Sequence, residues 1–209
     1  MFIHAKLLTI YRVTLKGVVS FRRARMIDTS LDRRALVKGM FAVGAASLFI
    51  PRAFAALPER RLAFRNVHTS ETIDARYFGA NGYDAQGLAE INHGLRDWRT
   101  GDVTRIDRDL LDLLVRVRQK LGVAPQRHFD LISGYRSPLT NAALRDAGGE
   151  HTGVASKSQH MLGKATDVAM PGVPLERLRL AALSAQGGGV GFYPADGFVH
   201  IDTGKVRTW

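Results

Sequence analysis

The stretch "DRDLLDLLVRVRQKLG", residues 107–122, constrains the fold more tightly than any other. Leu110, Leu111, Leu114, Val117 and Leu121 recur at helical spacing and form one apolar stripe. Asp107 stands where an N-cap belongs, and Gly122 stands where a left-handed residue ends a helix. The remaining positions carry charges of mixed sign at i and i+4, the composition of a solvated face rather than a binding surface.

The segments on either side alternate between strand and helix patterns. Residues 61–68 and 71–78 are β-rich runs separated by Thr69 and Ser70, which predicts a hairpin. In "LAEINHGLRDW" the apolar positions 88, 91, 95 and 98 predict a helix of about three turns. "FDLIS", residues 129–133, reads as a strand entering the turn "GYRSPLTN", with Asn141 to Asp146 helical beyond it. "GKATDVAM" alternates as a strand, "PLERLRLAALSAQ" is a second amphipathic helix, and "GGGVGFYP" with "GFVHID" predicts a closing hairpin. Strands and helices do not alternate strictly. The expected class is therefore α+β, a single domain with a central antiparallel sheet flanked by helices, rather than a doubly wound fold.

A net charge of +11 over 209 residues invites a nucleic-acid or membrane-surface partner, so its location matters. Ten of the 30 Lys/Arg but only two of the 19 Asp/Glu fall in residues 1–55, leaving 20 basic and 17 acidic residues, a net of +3, for residues 56–209. No basic stripe with interleaved aromatics remains there, which argues against nucleic acid. The front segment reads as an export signal. Arg33 and Arg34 precede an apolar run from Gly39 to Ile50 and then the small-residue site Ala53-Phe54-Ala55. That run is shorter than the roughly 20 residues a helix needs to span a bilayer, so no permanent membrane span is expected. Residues 1–55 are thus expected to be a cleaved twin-arginine signal peptide, with Met26 as an alternative start, and residues 56–209 to be the domain that works in the periplasm.

The chain has no cysteine, so a transition-metal site would have to use imidazole and carboxylate. Of the seven histidines, His4 lies in the signal region, and His68 and His93 sit inside predicted elements. His128 and His151 lie in loop-like stretches without a ligand partner at short range. His160 and His200 remain. In "SQHMLGKATD", Gly163 lets the backbone turn so that His160 and Asp167 can meet on one metal, although a polar loop would carry the same letters. In "GFVHIDTG", alternation puts Phe198, His200 and Asp202 on one strand face, the last two roughly 6.7 Å apart at about 3.3–3.4 Å per residue. From there Asp202 could accept a proton from a metal-activated water, brace a ligand histidine, or simply cap the turn before Gly204.

Three segments in this order, "SGYRSPLTN", "SQHMLGKATD" and "GGVGFYPADGFVHIDTG", ending in "VRTW", closely resemble the murein endopeptidase K family. That family belongs to the zinc peptidases that include lysostaphin, D-Ala-D-Ala carboxypeptidases and the hedgehog fold. The resemblance spans most of residues 60–209. It implies that His160, Asp167 and His200 bind zinc, and that Arg136 faces the substrate carbonyl and its developing oxyanion, a role suited to an always-charged planar donor. Better-known relatives place the acidic general base a few residues before the last histidine, or a second histidine two before it. Here those positions hold Gly197 and Phe198, while Asp196 lies four before His200 and Asp202 two after. Strand alternation favours Asp202 as the base, with Asp196 the alternative.

The implied activity is a zinc-dependent endopeptidase, a monomer, cutting amide bonds in peptidoglycan crosslinks, especially between diaminopimelate residues. A carboxypeptidase trimming a terminal D-amino acid (L,D- or D,D-) and a non-catalytic zinc-containing wall-binding module are the alternatives. Two histidines and a carboxylate also suit iron or cobalt.

Overall fold

The computed structural model describes residues 58–148 and 154–209. The expected signal segment, residues 1–55, lies outside them, as do His4 and His151. Among the described residues no helix is long and apolar enough to cross a membrane.

The anticipated hairpin is formed by β1 (Arg60–Asn66) and β2 (Thr72–Gly79), paired antiparallel with Phe64 opposite Ile73. A two-residue strand, β3 (Gly82–Tyr83), extends it. Asp84 caps the next helix, α1 (Ala85–Gly94), by accepting from the amides of Gln86 and Gly87. Its start therefore lies a turn earlier than the apolar spacing alone implied, and its end leaves Trp98 beyond the helix.

Helix α2 (Arg108–Leu121) has the predicted caps, Asp107 at the front and Gly122 in the left-handed region at the end. All five stripe residues are buried, and so are Leu113, Val115 and Arg118. The buried surface is wider than the stripe because Leu113 and Val115 also join the apolar core and polar positions reach across to other elements. Arg118 Nη2 donates to the Arg61 carbonyl at 2.8 Å, and Asp112 accepts from both Arg60 and Tyr77.

Beyond α2 come β4 (Phe129–Ser133), α3 (Pro138–Gly148), a short 3-10 turn (Gln159–Leu162), β5 (Ala165–Ala169) and α4 (Leu175–Ala185). The closing hairpin is β6 (Gly189–Tyr193) and β7 (Phe198–Asp202), and β8 (Arg207–Thr208) follows. Among the described residues all eight strands join one sheet, in the order β3-β2-β1-β4-β5-β7-β6-β8. The class is α+β, as expected. The sheet is mixed rather than wholly antiparallel, because β1 pairs parallel with β4 and β6 parallel with β8. Val168, Val199 and Ile201 from β5 and β7 enter one core with Ile91, Leu114 and Leu178 from the helices. By strand alternation, their neighbours Asp167, His200 and Asp202 are left for the opposite face.

Candidate metal centre

Two devices bring residues 160, 167 and 200 together. The first is sheet register, which sets Asp167 of β5 directly opposite His200 of β7. The second is the 3-10 turn, whose N-cap Ser158 accepts from the His160 amide and whose last residue is followed by Gly163 at φ 64°. A side chain at 163 would be strained in that conformation, and its Cβ would lie 2.6 Å from the Arg105 carbonyl oxygen. The turn therefore delivers His160 over the Asp167–His200 pair in the middle of the β5–β7 ladder.

The geometry of the trio follows from what each ring does on its far side. His160 Nδ1 lies 2.7 Å from the Gly134 carbonyl oxygen, which can only accept, so Nδ1 carries the hydrogen. His200 is flanked by carboxylates on both nitrogens, Nε2 at 3.0 Å from Asp202 Oδ2 and Nδ1 at 2.8 Å from Asp167 Oδ1; with Nε2 donating to Asp202, Nδ1 is the nitrogen free to serve as a ligand. The inward atoms are then His160 Nε2, His200 Nδ1 and Asp167 Oδ1. They are separated by 3.2, 2.8 and 3.3 Å. A tetrahedral zinc with arms of about 2.0–2.1 Å sets its ligand atoms roughly 3.3 Å apart, so the donor set fits such an ion.

Three possible ligand atoms facing one point call for a positive charge between them, from a proton or from a metal ion. The titration behaviour favours a proton on His200, one that a metal ligand at Nδ1 must give up. Burial alone would push His200 down, but its bonds to Asp167 and Asp202 outweigh that and hold it above its ordinary value. Burial alone would raise the Asp167 carboxyl, yet the adjacent His160 and His200 hold it well below the usual carboxylate range. The three side chains are the group of His, Asp and Glu among the described residues that could hold a metal ion.

Arg136 completes the inner site. Its backbone amide donates to the His160 carbonyl, and its Nη2 reaches Asp167 Oδ2 at 3.3 Å. The guanidinium is buried, with Nε making no hydrogen bond. Desolvation lowers its pKa, opposed by Asp167, and such a group still keeps its charge. The turn carrying it is anchored from behind, where buried Asp97 accepts from the Ser137 and Arg99 amides.

A cleft of about 270 Å³ opens over the trio, with Arg136, Lys157, Tyr193, Asp196, Phe198 and Trp209 in its wall. Asp196, in the β6–β7 turn, is exposed at its edge. Asp202 is fully buried behind His200, and its two oxygens accept from His200, Arg207 and the Gly189 and Gly204 amides. Burial would raise its pKa, but these donors hold it well below the usual range. Of the roles the sequence left open to Asp202, this environment suits the brace better than the base.

The other described histidines stay apart. His68 stacks on Trp98 with centroids 4.2 Å apart, His93 lies beside Arg96, and His128 sits 3.6 Å from Asp130. Sequence reasoning missed the Gly134 carbonyl, Asp97, Arg207 and Trp209. Gly134 lies within "SGYRSPLTN" and the last two within the "VRTW" ending, but nothing in those letters gives their contacts.

An α+β domain that aims two imidazoles, a carboxylate and a buried arginine into one cleft defines a class, the metal-dependent hydrolases. Within that class the family is specific: a family model described as peptidoglycan L,D-endopeptidase MepK matches residues 54–209, and the chain belongs to this family of M15 peptidases. The peptidoglycan L,D-endopeptidase MepK of Escherichia coli (strain K12) is 45% identical over 180 residues, covering 85% of this chain and 96% of that relative. A Haemophilus influenzae protein named "Probable peptidoglycan L,D-endopeptidase MepK" is 37% identical over 181 residues, covering 85% of this chain and 94% of its own length. No solved structure gives a significant match.

Proposed function

We propose that this chain is a zinc-dependent peptidoglycan endopeptidase that hydrolyses an L,D-amide bond in the peptide crosslinks, with His160, Asp167 and His200 as metal ligands. The observation that carries the reading is the convergence of His160 Nε2, Asp167 Oδ1 and His200 Nδ1 at the floor of an open cleft. Relatives named as L,D-endopeptidases over nearly their whole length support the substrate class.

When bound, the metal supplies Lewis acidity towards a carbonyl and a lowered pKa for a water. Arg136 presents permanently charged donors to the oxyanion that develops as the amide is attacked, and its burial strengthens that interaction. Asp167 orients Arg136 through Oδ2 while offering Oδ1 to the centre. Asp196, at the cleft edge, takes the role of proton acceptor and later donor to the leaving amine. Asp202 holds His200 with Nδ1 inward.

A peptidase of peptidoglycan works outside the cytoplasmic membrane. Residues 1–55 serve as the twin-arginine signal, and residues 56–209 act as a monomer in the periplasm.

Mass spectrometry of purified crosslinked muropeptide dimers tests this, with zinc-loaded and chelated protein compared. Conversion of L,D-crosslinked dimers to monomers by the loaded protein alone is the expected result. Loss of a terminal residue from uncrosslinked stems, with dimers intact, would overturn it in favour of a carboxypeptidase, and wall binding without any cleavage would favour a binding module.

A further inference from the structure

Arg207 and Trp209 reach the wall of the cleft, and they are also coupled to the side of the metal centre that faces away from the inward atoms. Arg207 donates to both oxygens of Asp202, from Nη1 at 3.1 Å and from Nη2 at 2.7 Å. This two-pronged pairing of a planar fork with a carboxylate fixes orientation as well as distance. Asp202 is 0% exposed, while the Arg207 side chain is 44% exposed, so the pair is anchored on the carboxylate side and open to water on the other. Asp202 in turn receives His200 Nε2.

Room for this arrangement is made by two glycines on the site face of β6. A Cβ at Gly189 would collide with Arg207 Nη1 and Asp202 Oδ2, and one at Gly191 would come within 2.7 Å of the Trp209 ring. Trp209 lies with its ring 5.2 Å from that of His200 and 4.7 Å from the Arg207 guanidinium carbon, and its Nε1 donates to Tyr193 Oη at 2.7 Å. The His200 ring is therefore braced at its edge by Asp202 and packed by Trp209. Arg207 touches both braces and does not touch the inward nitrogen.

We propose that Arg207 is a positioning residue of the metal centre, acting through Asp202 to fix the tautomer and ring plane of His200. The inference rests on the metal-centre reading above and adds to it a residue two strands away in the sheet order. Without the fork, Asp202 keeps its backbone donors but loses the partner that orients it towards Nε2, and the Nε2–H tautomer is less firmly held. A carboxylate that orients a ligand histidine typically contributes about 10–100-fold in metal affinity, and part of that effect should pass through Arg207.

The test is a double-mutant cycle in the full domain with Arg207→Gln, Asp202→Asn and both together, plus Arg207→Lys. Two readouts are taken on folded protein, whose integrity is checked by circular dichroism: zinc affinity by competition with a chelating dye, and the ¹⁵N signals of the His200 imidazole in the zinc-bound state. Arg207→Gln should weaken zinc by about tenfold and speed solvent exchange of the Nε2 proton. Arg207→Lys, which keeps charge without the fork, should recover only part of this. The double variant should be no weaker than Asp202→Asn alone, because the two residues act in series. Wild-type affinity and unchanged His200 signals in Arg207→Gln would overturn the inference, as would additive losses in the double variant. Failure of the wild type to bind zinc would instead overturn the metal-centre reading on which it rests. Because Arg207 is half-exposed, its variants remain informative even if Asp202→Asn does not fold.

Discussion

On one side of β5 and β7 lie Val168, Val199 and Ile201, each 0% exposed; on the other lie Asp167, His200 and Asp202, exposed by 6%, 8% and 0%. The two faces are almost equally dry, so solvent access does not distinguish them. What differs is how their side chains are satisfied. The apolar face needs only neighbours of the right volume, and gains from area removed from water. The polar face needs a partner for every donor and acceptor, because an unpaired buried polar group costs about 1–3 kcal/mol. Asp202 meets that demand with protein donors alone, whereas His160, His200 and Asp167 leave three atoms aimed at one another. Three such atoms gathered at one point are a ligand set that a bound cation would share.

The sharpest break between the faces should come from His160→Ala. Removing one of three donors is expected to lower turnover of crosslinked muropeptides by about 10³-fold or more, since several kcal/mol of transition-state stabilisation is lost. Circular dichroism should show the same fold. Arg136→Lys keeps a positive charge but not the planar fork, and should reduce kcat by about 10²–10³-fold while leaving zinc affinity near wild type. Steady-state kinetics beside a metal competition assay separates the two effects.

Asp97 tests the frame behind the polar face. Asp97→Ala should cost about 1–3 kcal/mol in urea unfolding, since the Ser137 amide loses its acceptor. Burial alone would raise the Asp97 carboxyl, but bonds from Thr140, Ser137 and the Arg99 amide hold it below its ordinary value. Its contribution is therefore fully present above the ordinary carboxylate pKa and is lost as pH falls through the depressed native value. Unfolding curves collected between pH 7 and pH 3 should show Asp97→Asn losing less stability on acidification than wild type. The smallest effect belongs to the apolar face. Ile201→Val should cost about 0.5–1.5 kcal/mol and leave zinc affinity and kcat within twofold, although residue 201 is covalently next to two site residues.

The apolar face was the more legible of the two in sequence. Leu110, Leu111, Leu114, Val117 and Leu121 repeat at helical spacing, and Val199 and Ile201 alternate, so period alone assigns them to the core. Alternation likewise put His200 and Asp202 on one face. It carries no information on ring rotation, and so left open whether Asp202 meets the inward or the outward nitrogen. That depends on the gap at Gly189 and on Arg207, which reaches Asp202 through β8, a strand of two residues with no period to read. The parallel pairing of β1 with β4 was hidden for a related reason. Its partners, such as Phe64 and Phe129, are separated by two strands and two helices, and nothing local records which strand edge a returning chain will meet.

The polar face is proposed to hold one metal ion through two imidazoles and one carboxylate. Zinc K-edge X-ray absorption of the stoichiometrically loaded protein tests it most directly, with His200→Ala alongside. Four or five nitrogen and oxygen neighbours at about 2.0–2.2 Å are expected, with the scattering of two imidazole rings in wild type and one in His200→Ala. A six-oxygen shell without imidazole scattering, or a spectrum unchanged by His200→Ala, would contradict it.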